Sequence, residues 1–233
     1  MIFAVILAGG TGTRMGNVNT PKQFLLLHNK PILICTLEKF IINTKFDKVL
    51  VLTPESWVEH TKDLINQHLG ENDKIVVLVG GETRNETIMN SICYIENEYS
   101  LDDNTIVVTH DSVRPFVTHR VIEDNINAMN DHIACDTVVA ATDTIIESED
   151  SKSISEIPDR RLMYQGQTPQ TFKAKLWKEL YLSLSDQEKD ILTDAAKIFV
   201  LKGYEVKMIR GENYNIKITY PQDLLTAQSL LKL

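Results

Sequence analysis

Small residues and cations crowd the chain directly after its first apolar run. Leu7, Ala8, Gly9 and Gly10 close that run, and Gly12, Arg14, Gly16, Pro21 and Lys22 follow. Glycines let backbone N–H groups approach phosphate oxygens closely, and an arginine and a lysine add full positive charges to the same loop. Two familiar phosphate devices fail on spacing. A Gly-x-Gly-x-x-Gly fingerprint needs a third glycine where Met15 stands, with Gly16 one residue late. A P-loop needs Lys-Ser/Thr after its last glycine, and Gly16 is followed by Asn17.

The elements that must position this loop alternate. Ile2–Leu7, Lys48–Leu52, Lys74–Val79 and Thr105–Thr109 are short apolar, β-branched runs bounded by turn residues, which read as buried strands. Helical patterns lie between them. Leu33, Leu37, Phe40 and Ile41 line one face; Thr53-Pro54 is expected to cap a second helix with Trp57, Leu64 and Ile65 inward. Thr83-Arg84-Asn85-Glu86 has the spacing of a capping box opening a helix with Ile88, Ile92 and Ile95, and Val121, Ile122, Ile126 and Met129 mark a fourth. This alternation predicts an α/β, Rossmann-like, doubly wound and mainly parallel sheet, with ligands beyond the carboxyl ends of its strands.

The rhythm breaks after Thr142. Residues 143–172 hold an acidic stretch between short β-like pieces, expected to form an arm projecting from one domain spanning 1–233. Ser185 to Glu188 is a further capping box, a helix is expected from about Thr193 to Gly203, a strand near Glu205–Ile209 and a last helix from Pro221.

Composition sets exclusions. A chain of 233 residues with 43% hydrophobic and 24% charged residues can bury a sizeable core. A formal net charge of −8 argues against a nucleic-acid partner, which needs a basic footprint. Cys35, Cys93 and Cys135 are too few and too scattered for a disulfide framework or a Cys-x-x-Cys metal site, so reduced thiols are expected. No apolar run approaches the about 20 residues of a membrane span, and Ile2–Leu7 lacks the flanks of a signal peptide. A cytoplasmic location is expected.

The opening pattern resembles the nucleotidyltransferases that make nucleoside-diphosphate sugars and alditols, and more closely their cytidylyltransferase branch acting on alditol phosphates. "GGETRNET" at Gly80–Thr87, "THDSVRPF" at Thr109–Phe116, "YQGQTPQTF" at Tyr164–Phe172 and "NIKITYPQDL" at Asn215–Leu224 follow in the branch's order. The resemblance implies transfer of the cytidylyl group of CTP to an alditol phosphate, with pyrophosphate leaving. Two acceptors compete. "YQGQTPQ" and "CDTVVAATDTI" look like the type acting on D-ribitol 5-phosphate, which makes CDP-ribitol for teichoic acid or capsule, while Ser112-Val113 and Thr193-Asp194-Ala195 depart from the pattern of the methylerythritol type. The alternative is the 2-C-methyl-D-erythritol 4-phosphate type of isoprenoid synthesis.

The same resemblance distributes roles. Arg14 and Lys22 are expected to stabilise the charge on the transferring group, which positioning and cations should dominate. Leu7, Ala8, Gly9 and Gly10 should hold the nucleotide by their backbone, with Gly80, Gly81, Glu82, Thr83, Arg84, Asn85, Glu86, Thr87 and Ser112 as further CTP contacts. For Thr83 and Glu86, simple helix capping is the competing role. Asp111 is the best acid for a Mg²⁺ bridging to triphosphate oxygens, or else orients the loop by pairing with Arg114. His110, beside it, reads as structural, because hard Mg²⁺ prefers oxygen ligands. Arg160 (or its neighbour Arg161) and Lys217 match positions that orient the alditol phosphate. The resemblance further implies a homodimer in which the arm reaches across to the partner, and a ribulose-5-phosphate reductase as a possible associate.

Overall fold

The computed structural model describes residues 1–10 and 20–231. In chain order the strands are β1 (Ile2–Leu7), β2 (Leu26–Leu27), β3 (Lys30–Pro31), β4 (Lys48–Thr53), β5 (Ile75–Val79), β6 (Ile106–Asp111), β7 (Ala134–Ala140), β8 (Tyr164–Lys173) and β9 (Lys207–Arg210). The helices are α1 (Ile32–Ile41), α2 (Val58–Leu69), α3 (Arg84–Tyr99), α4 (His119–Ala128), α5 (Ala174–Leu182), α6 (Asp186–Asp190), α7 (Lys197–Leu201) and α8 (Pro221–Leu230).

Among the described residues, seven strands form one sheet in the order β5-β4-β1-β6-β8-β7-β9. β1 pairs in parallel with both β4 and β6, and β8 runs antiparallel to its neighbours β6 and β7. The chain leaves β1 toward β4 and β5, then crosses back to the other side of β1 at β6. The reversal makes a crevice beyond the carboxyl ends of β1 and β6, where open α/β sheets take ligands.

Strand residues alternate between two cores, which is why the strands read as nearly unbroken apolar runs. Phe3, Val5, Leu50, Leu52 and Val107 pack with Ile88, Ile92 and Ile95 of α3 and with Phe172, Trp177 and Phe199. Ala4, Ile6, Val49, Val51 and Val108 pack on the opposite face with Leu33, Leu37 and Phe40 of α1, Ile65 of α2, and Val121, Ile122 and Ile126 of α4. The capping boxes at Thr83–Glu86 and Ser185–Glu188 are both formed. All three cysteines are free thiols. No helix among the described residues is long and apolar enough to cross a membrane.

Three local expectations need correction. Thr53 does not cap a helix: it pairs with Val79 as the last residue of β4, and a 3-10 turn at Glu55–Trp57 precedes α2. Residues 164–172, expected in the arm, are most of β8. That strand is legible only through its partners, since its buried Thr168, Gln170 and Thr171 are satisfied by hydrogen bonds rather than by apolar contact. The stretch between β7 and β8 is accordingly shorter than 143–172, and an antiparallel bridge, Glu147 to Glu156, closes it. The helix expected from Thr193 starts at Lys197, because the Asp194 side chain accepts the Ala196 and Lys197 backbone N–H groups.

Trp177 is the test of the first core. It is fully buried, stacks between Phe172 and Tyr181 at centroid distances of 5.6 and 5.0 Å, and donates its indole N–H to the Ala195 carbonyl at 3.1 Å. Trp177→Ala is expected to lower unfolding free energy by about 3–5 kcal/mol, read from denaturant titration.

Candidate active site

The described part of the opening stretch and the motifs at Gly80–Thr87, Thr109–Phe116 and Asn215–Leu224 meet in a crevice at the carboxyl side of the sheet, while Tyr164–Phe172 contributes no residue to its lining. Leu7, Gly9 and Gly10 stand at and just beyond the end of β1; Gly81, Glu82, Thr83, Arg84 and Thr87 come from the turn into α3 and its first residues; Asp111, Ser112 and Val113 stand at and just beyond the end of β6; Lys22, Gln23 and Lys217 complete the lining. Arg14 lies outside the described residues. Lys22 sits in a short 3-10 turn, Lys22–Phe24, and is nearly buried. Its neighbour Gln23, which the sequence reading passed over, is buried and donates from Nε2 to the Ala8 carbonyl at 2.7 Å. That bond ties the lysine's turn to the end of β1.

Asp111 is the electrostatic centre. Arg84 Nη1 lies 2.5 Å from Oδ1, Lys217 Nζ 3.0 Å from Oδ2, and Arg114 Nε 3.3 Å from Oδ2. Burial alone would raise this carboxyl, but Arg84, Lys217 and Arg114 together hold it well below the usual carboxylate range. The site therefore carries three cations on one carboxylate, with Lys22 lining the same crevice, and has the charge to receive a polyphosphate. Both roles expected of Asp111 touch this arrangement; the pairing with Arg114 is formed.

The backbone around Asp111 is fixed from beneath. Its N–H donates to Thr168 Oγ1 at 3.2 Å, and Thr168 Oγ1 lies 2.9 Å from His110 Nδ1. His110 Nε2 meets the Arg114 carbonyl at 3.1 Å, so Nε2 carries the proton and Nδ1 accepts from the threonine. Burial lowers this imidazole to about 4, which keeps it neutral and in a structural role. Asn215 donates to the Thr168 carbonyl at 2.9 Å while its own carbonyl accepts from Arg114 Nη1 at 2.9 Å. The segment bearing Lys217 is thereby sewn to the β6 and β8 ends.

The turn before α3 is built for a close approach. Thr83 Oγ1 accepts the Glu86 N–H at 3.1 Å, and the Glu86 carboxylate accepts the Thr83 N–H at 3.0 Å. Thr87 Oγ1 donates to the Thr83 carbonyl at 2.8 Å and accepts the Gly81 N–H at 3.0 Å. Not every expected contact faces the crevice. Ala8 is buried beneath it, and the Gly80 N–H is spent on the Thr53 carbonyl at 2.8 Å. Asn85 points into the interior toward the Leu192 carbonyl, and Glu86 serves the capping box. These four are framework rather than lining, because successive positions of a turn point in different directions.

A second recess shares Lys217 with the crevice. Arg114 and the amide residues Gln165, Gln167, Asn213 and Asn215 line it, together with Thr142, Val139, Ala140 and Ile216. Arg160 lies outside both spaces, exposed in a 3-10 turn, with Nη1 donating to the Thr142 carbonyl at 2.8 Å on the rim of the recess. The neighbouring Arg161 is turned to Asp159 instead.

The family profile described as IspD, 2-C-methyl-D-erythritol 4-phosphate cytidylyltransferase, matches residues 2–233. The chain belongs to this family. It is an α/β nucleotidyltransferase of the cytidylyl-transferring kind. Among solved structures it is similar to 4-diphosphocytidyl-2C-methyl-D-erythritol synthase from Anaerococcus prevotii (26% identity, TM-score 0.82, covering 100% of this chain and 96% of that one). It is likewise similar to 2-C-methyl-D-erythritol 4-phosphate cytidylyltransferase from Francisella tularensis (28% identity, TM-score 0.81, covering 98% of each chain). The Thermus thermophilus enzyme of that name gives 25% identity and a TM-score of 0.73, covering 100% of both chains.

Among the described residues of this cytidylyltransferase-family chain no group of three His, Cys, Asp or Glu side chains is placed to hold a metal ion. A Mg²⁺ that keeps mostly phosphate and water oxygens needs only one protein carboxylate, and Asp111 and Glu82 are the carboxylates that line the crevice.

Gly81 tests the turn. A Cβ there would stand 2.4 Å from Glu86 Cβ and 2.9 Å from both the Glu86 carbonyl carbon and the Thr87 nitrogen. Gly81→Ala is expected to force the α3 cap apart, costing about 1–3 kcal/mol of stability and about tenfold or more in CTP affinity, checked by thermal unfolding and calorimetric titration.

Proposed function

We propose that this chain transfers the cytidylyl group of CTP to D-ribitol 5-phosphate, giving CDP-ribitol and pyrophosphate for teichoic acid or capsule synthesis. The observation that carries the transfer is the cation set around Asp111, with Lys22 lining the same crevice and an amide-lined recess beyond Lys217. An oxygen of the acceptor phosphate attacks the α-phosphorus of CTP. The bond from that phosphorus to the bridging oxygen breaks, and its electron pair leaves on pyrophosphate. The attacking oxygen is already ionised, so no general base is needed. The demand is for alignment and for charge stabilisation.

Lys22 and Arg14 are assigned that stabilisation: Arg for a forked contact, Lys as a point charge. Backbone groups at Gly9, Gly10 and Gly81, with Thr83, Thr87, Arg84 and Ser112, receive the nucleotide. Mg²⁺ held with the nucleotide at Asp111 would neutralise triphosphate charge. Lys217 and Arg160 orient the acceptor phosphate, Lys217 from the shared wall and Arg160 from the arm. In a homodimer the arm would bring Arg160 to the neighbouring subunit. A reductase of ribulose 5-phosphate is the associate that would supply the acceptor.

The second reading is transfer to 2-C-methyl-D-erythritol 4-phosphate. The family description and the names of the solved relatives favour it over ribitol 5-phosphate. Ribitol 5-phosphate is supported by Ser112-Val113, Thr193-Asp194-Ala195 and "YQGQTPQ". It is also supported by the recess, whose amides suit the longer acceptor with one more hydroxyl and no methyl branch.

Pyrophosphate release with Mg²⁺ decides between them. CTP, UTP and GTP are each offered with ribitol 5-phosphate, methylerythritol 4-phosphate and a sugar 1-phosphate. Release confined to CTP with ribitol 5-phosphate is expected. Release with methylerythritol 4-phosphate alone moves the assignment to the second reading, and release confined to a sugar 1-phosphate overturns both. In the same assay Lys22→Ala is expected to lower kcat by about 10²-fold or more with the fold intact, as for loss of a preorganised charged donor. A near-normal kcat removes Lys22 from the chemistry.

A further inference from the structure

Asp136 is a carboxyl with no task in the scheme above. It lies on β7 at the bulge where the register with β8 shifts, and its partner across the ladder is Gln170. Cross-strand partners put their side chains on one face with Cβ atoms about 5 Å apart. Two positions along, the same face carries Ala134 and Phe172 of the apolar core, so the carboxyl sits at the core's edge. Asp136 Oδ1 is buried with no hydrogen-bond partner, and so is Nε of Arg84. Buried polar atoms are nearly always satisfied, and the exceptions call for a reason.

Gln170 joins the two residues. Its Oε1 accepts from the Ala195 N–H at 3.2 Å and from Arg84 Nη2 at 3.2 Å. With the oxygen end held by two donors, the NH₂ end is the one left for Asp136, the cross-strand partner, whose charged form Gln170 favours. Arg84 then reaches Asp111 at 2.5 Å and lines the crevice.

We propose that Asp136 is a positioning residue for nucleotide binding, acting through Gln170 to hold the Arg84 guanidinium at the crevice beside Asp111. The inference rests on CTP as the nucleotide and is independent of the acceptor. An ionised Asp136 accepts from the Gln170 NH₂ and leaves Oε1 for Arg84. A protonated Asp136 holds the NH₂ end less strongly and offers an O–H that competes with Arg84 and the Ala195 N–H for Oε1, which loosens the hold on the guanidinium. Burial, aided by Asp194 in the turn before α7, pushes this carboxyl up to about 7 against the pull of Gln170 and of Arg84 from α3. The two arrangements therefore exchange near neutral pH.

The linkage separates positioning from mere stability. Unfolded, the carboxyl ionises near pH ~4. Folded, it keeps its proton to about 7, so ionisation above that range weighs against the fold. Asp136→Leu is then expected to raise the unfolding temperature at about pH 8 while weakening CTP binding about tenfold there. Calorimetric titration with Mg-CTP from about pH 6 to about pH 8.5 should show the wild-type advantage shrinking as pH falls, as expected for a titrating carboxyl. Titration of the triphosphate itself cancels in the ratio. In an Arg84→Ala background the Asp136 substitution should change affinity less than about twofold, as expected for one pathway.

Equal affinity of wild type and Asp136→Leu at pH ~8, or an undiminished loss in the Arg84→Ala background, overturns the proposal. Should the leucine variant not fold, the ratio of wild-type to Arg84→Ala affinity carries the test. A ratio rising through neutral pH supports the proposal, and a flat ratio overturns it. A wild-type protein that binds no CTP overturns the nucleotide assignment and this inference with it, so the two failures are distinguishable.

Discussion

One carboxylate facing three cations is the constraint on which the site is built. Arg84, Arg114 and Lys217 come from α3, the turn after β6 and the segment before α8, and without Asp111 they would repel one another across a small volume. Removing one partner of such a buried set leaves uncompensated charge, which is far costlier than the set itself is stabilising. The arrangement is worth its cost as preorganisation. Cations held in place before a polyphosphate arrives need no reorganisation when charge develops on it. Asp111 sits where it does because β6 ends beside β1, at the point where the sheet's connections reverse.

The core and this hub form one connected structure. Trp177 donates to the Ala195 carbonyl, the Ala195 N–H donates to Gln170, Gln170 accepts from Arg84, and Arg84 meets Asp111. A stacked aromatic cluster thus limits where a guanidinium at the crevice can go. The reversed strand β8 makes this possible. It presents Gln170 to one side and Thr171 to the other, where the hydroxyl donates to Asn125. Its Thr168 supports both His110 and Asp111. A parallel strand in that place would need a crossover connection, and would not bring this run back along β6 from the stretch after β7.

Local codes were legible in the sequence and long-range ones were not. The runs at Ile2–Leu7 and Lys48–Leu52 betray burial on both faces, and Thr83 with Glu86 three residues on is complete as a capping signal. The strand "YQGQTPQTF" resists such reading, because burial there is satisfied by hydrogen bonds and its polar residues imitate a loop. Thr53 illustrates the converse error: a threonine before a proline suggests a cap, yet the ladder with β5 claimed it. Of the site, Leu7–Gly10, Gly80–Thr87 and Asp111-Ser112 were legible because each carries unusual residue types at a strand end. The pairing of Lys217 with Asp111, the supporting role of Thr168 and the link from Asp136 to Arg84 depend on contacts between segments far apart in the chain.

The division of labour in the crevice explains why the reaction is easier to read than the acceptor. In the proposed reaction both candidate acceptors would present the same phosphate to the same cations, so Lys22, Lys217 and the Asp111 set would not distinguish them. Discrimination would then fall to the recess beyond Lys217, where amides lie among Val139, Ala140 and Ile216. A hydroxylated carbon that reaches a buried amide gains a hydrogen bond, and its absence leaves that amide unsatisfied, which is the stronger form of selection. A methyl branch gains only contact with the apolar residues, a weaker preference for each carbon. Ribitol 5-phosphate carries one more free hydroxyl than methylerythritol 4-phosphate and no methyl branch, so under the proposed assignment it is the acceptor that uses more of this amide wall.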